Sequence, residues 1–143
     1  MASLALRLAS LSFRSRRADS ARRPASLVRT SCSASRALVA GDRVLVAGTA
    51  PVPPGGGPPP AGPYAQARLC LDLIGEALTK AGTSLEHVVR TRMYLTAAEH
   101  WEQVARAHGD VFAEVRPVAT AVIVAGLLDP AWQVEIEAEA LLP

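Results

Sequence analysis

Residues 133–140, QVEIEAEA, alternate without a break: Val134, Ile136, Ala138 and Ala140 fall on one side, Gln133, Glu135, Glu137 and Glu139 on the other. Successive side chains of a strand point to opposite faces, so this segment requires a sheet with one dry face and one polar face. VVRTRMYL at 88–95 alternates in the same way, with Val89, Thr91, Met93 and Leu95 opposed to Arg90, Arg92 and Tyr94. Strands of this kind need apolar cover on one side only. Two segments of helical period can supply it. From about Tyr64 to Ala81, the residues Cys70, Leu73, Ile74, Ala77, Leu78 and Ala81 form one stripe. A second stripe, ending near Phe112, comprises Trp101, Val104, Ala105, His108, Val111 and Phe112.

The punctuation between these segments sets their order. SRALVAGDRVLVAGTAP reads as two short strands around Gly41-Asp42, a dipeptide suited to a tight hairpin turn. Residues 51–63, PVPPGGGPPPAGP, hold seven prolines and four glycines, which predicts a surface loop. No Gly-Lys-Ser/Thr follows the glycines and the prolines lack amide donors, so the loop is no phosphate cradle. Gly82 is a natural helix stop. Thr83-Ser84-Leu85-Glu86 and Thr96-Ala97-Ala98-Glu99 both resemble capping boxes. VATAVIVAG then supplies a strand before LLDPAW and the final alternating run. The predicted order is β-β-(loop)-α-β-α-β-β, an α+β fold with a mixed sheet and both helices on one face. One layer of helices leaves the other face partly open, which predicts a homo-oligomer.

The net charge of +2 hides two unlike segments. Residues 1–36 carry eight arginines and one acid, Asp19, whereas residues 37–143 carry seven basic and twelve acidic side chains. Nine of the ten serines precede residue 37 and all ten glycines follow it. We therefore set residues 1–34 apart from a folded domain at 35–143. The first segment reads as a mitochondrial or plastid transit peptide, with Leu4, Leu6, Leu8 and Leu11 near one side of an amphipathic helix, or as an untargeted extension. A secretory signal fits worse, because Arg7 interrupts the apolar stretch. An RNA-binding arm is the weakest reading, for want of aromatics beyond Phe13. No apolar run reaches the ~20 residues of a membrane span. Cys32 and Cys70 make neither a disulfide framework nor a metal cluster. These features predict a soluble intracellular protein, cytoplasmic unless the first segment directs it to an organelle.

Unaided chemistry is sparse. His87, His100 and His108 lack Cys, Asp or Glu partners at ligand spacing, and no metal or other cofactor is expected. His108 reads as a structural histidine on an apolar stripe. Cys70 reads as a buried, inert thiol, and Ser84 as a cap rather than a nucleophile. The row Glu135, Glu137 and Glu139 reads either as the solvated face of an edge strand or as the source of an acid or base at a subunit interface. Arg90 and Arg92 either grip an anion or pair with the surplus acids.

Three stretches together resemble the Rid/YjgF family, once described as L-PSP endoribonucleases: SRALVAGDRVLVAGTAP, QARLCLDLIGEALTKAGTSLEHVVRTRMYLT and RPVATAVIVAGLLDPAWQVEIEAEAL. The likeness spans about Ser35 to Leu142. It rests on G-T-x-P after the second strand, A-G-x-S-L-E-x-V-V-x-T, and the terminal V-E-I-E-A. Gly62-Pro63-Tyr64-Ala65-Gln66-Ala67 imitates the family's first-strand G-P-Y-S-Q-A but falls at the start of the first helix.

The resemblance implies a chorismate-mutase-like homotrimer with three clefts between subunits. In the deaminase branch these clefts hydrolyse small enamines and imines without a cofactor. By position, Glu135 matches the glutamate that positions the attacking water, and Gly48 a glycine that lines the site. Ala119 stands where that branch has its carboxylate-gripping arginine, and Ala121 where it has a cysteine; both are implied substrate contacts. Ala34 stands in place of a first-strand tyrosine and Ala47 of a frequent serine. Loss of the guanidinium contact forfeits about 1.5–3 kcal/mol of carboxylate binding. Arg116 lies three residues from Ala119, and strand alternation would aim it at the opposite face. The expected function is hydrolysis of a small reactive enamine or imine; the alternative is a non-catalytic trimeric binding or chaperone-like protein. A net charge of −5 over residues 37–143 disfavours ribonuclease activity or any nucleic-acid partner.

Overall fold

The computed structural model describes residues 28–29 and 35–143. The Arg/Ser-rich segment proposed as a leader, together with Ala34, lies otherwise outside the described residues. Strands β2 (Ser35–Ala40) and β3 (Arg43–Thr49) form the expected hairpin, with Ala40 paired to Arg43 across Gly41-Asp42. Gly41 takes φ +66°, the left-handed value that a side chain resists and that matches the turn to the strand twist. A two-residue strand, β1 (Val28–Arg29), pairs antiparallel with β2, so the sheet continues upstream of Ser35.

Helix α1 runs from Pro63 to Lys80. Its first residue is a proline, whose fixed φ suits a position where no amide donor is needed. Its end is a Schellman turn: the Gly82 amide donates to Thr79 O and the Thr83 amide to Leu78 O, with Gly82 at φ +90°. The 51–63 segment carries no helix or strand before Pro63, as its prolines dictate. Strand β4 (Val88–Leu95), helix α2 (Trp101–Phe112), and strands β5 (Val118–Ile123) and β6 (Val134–Leu141) complete the chain.

The sheet order is β1-β2-β3-β6-β4-β5, antiparallel except for the parallel β4–β5 pair. The expected α+β architecture with a mixed sheet is therefore present, and β6 lies at its centre rather than its edge. That corrects the edge-strand reading of the glutamate row: alternation reveals which face is wet, but not how many neighbours a strand has. Helix α1 packs on β6 and β3, and α2 packs beside α1. The core between helices and sheet includes Leu71, Ile74, Leu78, Met93, Leu95, Val104, Val134 and Ile136, each 1% exposed or less.

Several local expectations are corrected. Val89 is exposed and Val88 buried, because the β4–β6 register shifts between Val88 and Arg90 and inverts the alternation there. Trp101 is 48% exposed, while Ala107, outside the expected stripe, is buried. Neither predicted capping box forms. The Thr83 hydroxyl donates instead to Leu141 O at 2.6 Å, tying the α1 exit to the end of β6. Ser84 Oγ meets His87 Nδ1 at 3.2 Å, and Thr96 Oγ1 lies 3.4 Å from His100 Nδ1. For Thr83 a long-range partner outcompetes the local cap, and for Thr96 a histidine four residues on takes its place.

Candidate functional site

On the open face of the sheet, the row Glu135, Glu137, Glu139 of β6 lies opposite Tyr94, Arg92 and Arg90 of β4. Glu137 pairs with Arg92. Glu139 lies 3.9 Å from Arg90 and 3.6 Å from Arg43 of β3. The two arginines of β4 are thus counter-ions to the acids, which decides between their two readings. Glu135 differs: its cross-strand neighbour is Tyr94, and it has no ion pair among the described residues. Burial raises its carboxyl above the ordinary glutamate range, and the nearby Glu137 charge adds to the shift. Tyr94 is also raised, by burial first and then by Glu137.

Gly48 completes this corner. The β3–β6 register shifts between Val46 and Thr49, a bulge beside Ala47 and Gly48. A Cβ added at Gly48 would overlap Glu135 Oε1 and lie 3.1 Å from its Cδ. The missing side chain is what admits the carboxylate against the β3 backbone. On the buried side, Cys70 is fully enclosed with Sγ 4.0 Å from Val134 O. Burial, and secondarily the Glu135 charge, push its thiol far above the normal range, so no thiolate forms there.

The start of β6 is pinned by Gln66, which is 3% exposed. Its Nε2 donates to Pro60 O at 3.1 Å and to Ala131 O at 3.0 Å, and its Oε1 accepts the Gln133 amide at 2.7 Å. One side chain thereby joins the proline loop, the β5–β6 loop and the strand bearing Glu135. Sequence reading passed over Gln66, because its partners are backbone groups dispersed along the chain. A polar residue on the inner side of a helical stripe was the one signal that could have found it.

Ala119 and Ala121 lie elsewhere. On β5 they pair with Thr91 and Met93, so they face the helix side of the sheet, opposite the Gly48–Glu135 face. Both are exposed, and β5 is an edge strand of the sheet among the described residues. One protomer therefore brings Gly48 and Glu135 together but not the two alanines. Arg116 is not on a strand: it takes φ +52° before Pro117, its amide donates to Phe112 O, and its Nε donates to Ala113 O at 3.1 Å. Its side chain is directed by the end of α2, so the strand-alternation argument does not apply to it.

The histidines have side-chain partners. His108 Nε2 is 2.9 Å from Thr91 Oγ1, and its ring centroid is 4.7 Å from that of Phe112; burial lowers its pKa. His100 Nε2 lies 3.3 Å from Gln133 Nε2. Among the described residues no three His, Cys, Asp or Glu side chains gather as metal ligands, and no helix is long and apolar enough to cross a membrane.

Comparison with known proteins agrees with this architecture. The family model described as Endoribonuclease L-PSP matches residues 26–142. The fold is similar to that of Rv2704 from Mycobacterium tuberculosis, a member of the YjgF/YER057c/UK114 family, at 35% identity and TM-score 0.74, covering 82% of this chain and 99% of that one. Escherichia coli TdcF, solved with bound serine, is 27% identical with TM-score 0.71 over 76% of this chain and 87% of that one. An uncharacterized Streptomyces coelicolor protein is 38% identical over 78 residues, 54% of this chain. A RutC family protein of Haemophilus influenzae is 30% identical over 73 residues, 51% of this chain. The matches span 58% and 63% of the length of these two relatives. With the family model covering the whole described sheet and both helices, the chain belongs to the Rid/YjgF/L-PSP family.

Proposed function

We propose that this protein is an enamine or imine hydrolase whose cleft forms between subunits of a homotrimer. The observation that carries the reading is Glu135, a partly buried carboxylate with no cationic partner among the described residues, held against the bare backbone of Gly48. A carboxylate paired to arginine is a poor base, whereas an unpaired one raised toward neutrality suits proton transfer. In the reaction, Glu135 takes a proton from water as the oxygen adds to the imine carbon. It returns that proton to nitrogen to complete the carbinolamine, then carries the hydroxyl proton to the same nitrogen as the C–N bond breaks, which gives a carbonyl compound and ammonia. Ala119 and Ala121, substrate contacts by resemblance, can reach this face only from another protomer. The apolar and wholly exposed β5 supports such an assembly.

Without a guanidinium at position 119, this chain falls in a subgroup whose substrate needs no carboxylate at that point. The same two alanines offer no donor, which favours the second reading, a non-catalytic binding protein. A ribonuclease is disfavoured by the acidity of residues 37–143.

Ammonia release from a panel of amine- and amino-acid-derived imines tests the proposal. Glu135→Gln should lower turnover by about 100-fold or more. The active species is the carboxylate, so the rate should rise with pH through a value above the ordinary glutamate range. Absence of turnover in both proteins, with ligand binding retained, would establish the binding-protein reading. Val122→Asp should reduce the native mass to that of one chain; an unchanged mass would refute assembly through β5.

A further inference from the structure

Between helix α1 and the proline–glycine loop lies a groove of about 380 Å3. Val52, Pro53 and Pro54 line it from the loop, and Leu73 and Ala77 from the helix. Leu73 belongs to the apolar stripe of α1 yet is only half-buried, because it borders this groove. Val52, also on the groove, is 41% exposed. The loop wall is held in shape. The Gly56 amide donates to Pro53 O at 2.9 Å, closing a turn with Pro54 second and Gly55 third at φ +86°. Proline followed by a left-handed glycine is the pairing that a type II turn favours. Farther along, Gln66 holds the same loop at Pro60 O. A wall built this way loses little freedom when a ligand arrives.

The charged groups of the groove are Arg36, Glu76 and Lys80, one positive charge in excess. Lys80 lies 3.9 Å from Glu76, whereas the half-buried Arg36 has no carboxylate partner among the described residues. We propose that this groove binds a small carboxylate with an unbranched apolar chain. The carboxylate meets the Arg36 guanidinium, which can donate to both of its oxygens. The chain lies on Leu73, Val52 and the proline rings, none of which offers a hydrogen-bonding side chain. A single negative charge matches the excess, and a dianionic phosphate would leave one charge unmatched beside Glu76. Binding here is independent of the hydrolase reading, because the groove shares no residue with the Gly48–Glu135 corner. It is also apart from the proposed assembly strand, since β3, β6 and β4 separate β2, which carries Arg36, from β5.

Ligand-observed NMR on the purified full chain tests this with butanoate, hexanoate, octanoate and the neutral hexanamide. Affinity should rise about two- to fourfold for each added methylene. Hexanoate should bind about tenfold more tightly than hexanamide. Arg36→Gln should weaken hexanoate about tenfold but hexanamide by less than about threefold. Val52→Asp sets a like charge and a polar group beside the bound chain, and should weaken octanoate about tenfold or more. Native mass and unfolding midpoint should match the parent protein in both variants. Equal affinity for butanoate and octanoate overturns the proposal, as does equal affinity for hexanoate and hexanamide. Octanoate binding that both variants leave unchanged places the ligand elsewhere and overturns it too. A fall in native mass in Val52→Asp does the same, by making the groove a seat for a second copy. Tighter binding of octyl phosphate than of octanoate overturns the carboxylate assignment.

Discussion

Strands β5 and β6 are both rich in apolar residues, yet β6 buries every second side chain and β5 buries none of its six. β6 lies between β3 and β4 with α1 across one face, and Gln66 fixes its start through three hydrogen bonds. β5 has a neighbour on one side only among the described residues. Apolar composition is therefore a different statement in the two strands: in β6 it describes the core of one chain, in β5 a surface still seeking cover. The division extends to the site, because the carboxylate lies on the strand that one chain completes and the alanines on the strand it does not.

The sharpest way to break this contrast is truncation in both strands. Ile136→Ala removes a fully enclosed side chain and should cost about 2–5 kcal/mol in urea unfolding, whereas Val118→Ala should cost less than about 0.5 kcal/mol in dilute, monomeric protein. Similar costs for the two would mean that β5 is as deeply covered as β6. Next comes Gln66→Ala, which strands Pro60 O, Ala131 O and the Gln133 amide; about 1–3 kcal/mol of lost stability is expected by the same measurement. Gly48→Ala should leave stability within about 1 kcal/mol, because a strand interior tolerates alanine better than glycine. Its Cβ displaces the Glu135 carboxylate, so ammonia release should fall while the unfolding midpoint holds.

The smallest effect concerns charge. Arg92→Ala removes a partly exposed pair and should change stability by less than about 1 kcal/mol. Glu137 is then left unneutralised beside Glu135, so the acid limb of the pH–rate profile should move to higher pH. A linked effect follows from the raised Glu135 carboxyl. Between its unfolded and folded pKa values the folded chain binds more protons, so this group's contribution to stability falls as pH rises through that window. Unfolding midpoints taken from the ordinary glutamate range to neutrality should show a slope that Glu135→Gln reduces.

Much of this was legible in the residues. The period of QVEIEAEA placed Glu135 on the wet face and Ile136 in the core, and the Gly41-Asp42 hairpin and the Gly82 stop formed as read. Local rules failed where a distant group competed: Thr83 bonded to Leu141 rather than capping a turn, and the bulge near Val89 reversed a face. Trp101 matched a helical stripe but is half-exposed, because it is the first residue of α2 and lies near Ala121 and Ile123 of β5 rather than over the core.

Alternation, a property of the extended backbone, dictated which side chains share a face wherever a strand runs without a bulge, as throughout β6. The sequence by itself also set where helices end and where the chain turns. Strand order and pairing made β6 central, gave Glu137 and Glu139 arginine partners while Glu135 has none among the described residues, and turned Ala119 and Ala121 away from it. Strand order and cross-strand register join residues far apart in the chain, and no local pattern encodes which distant neighbour a given carboxylate will meet.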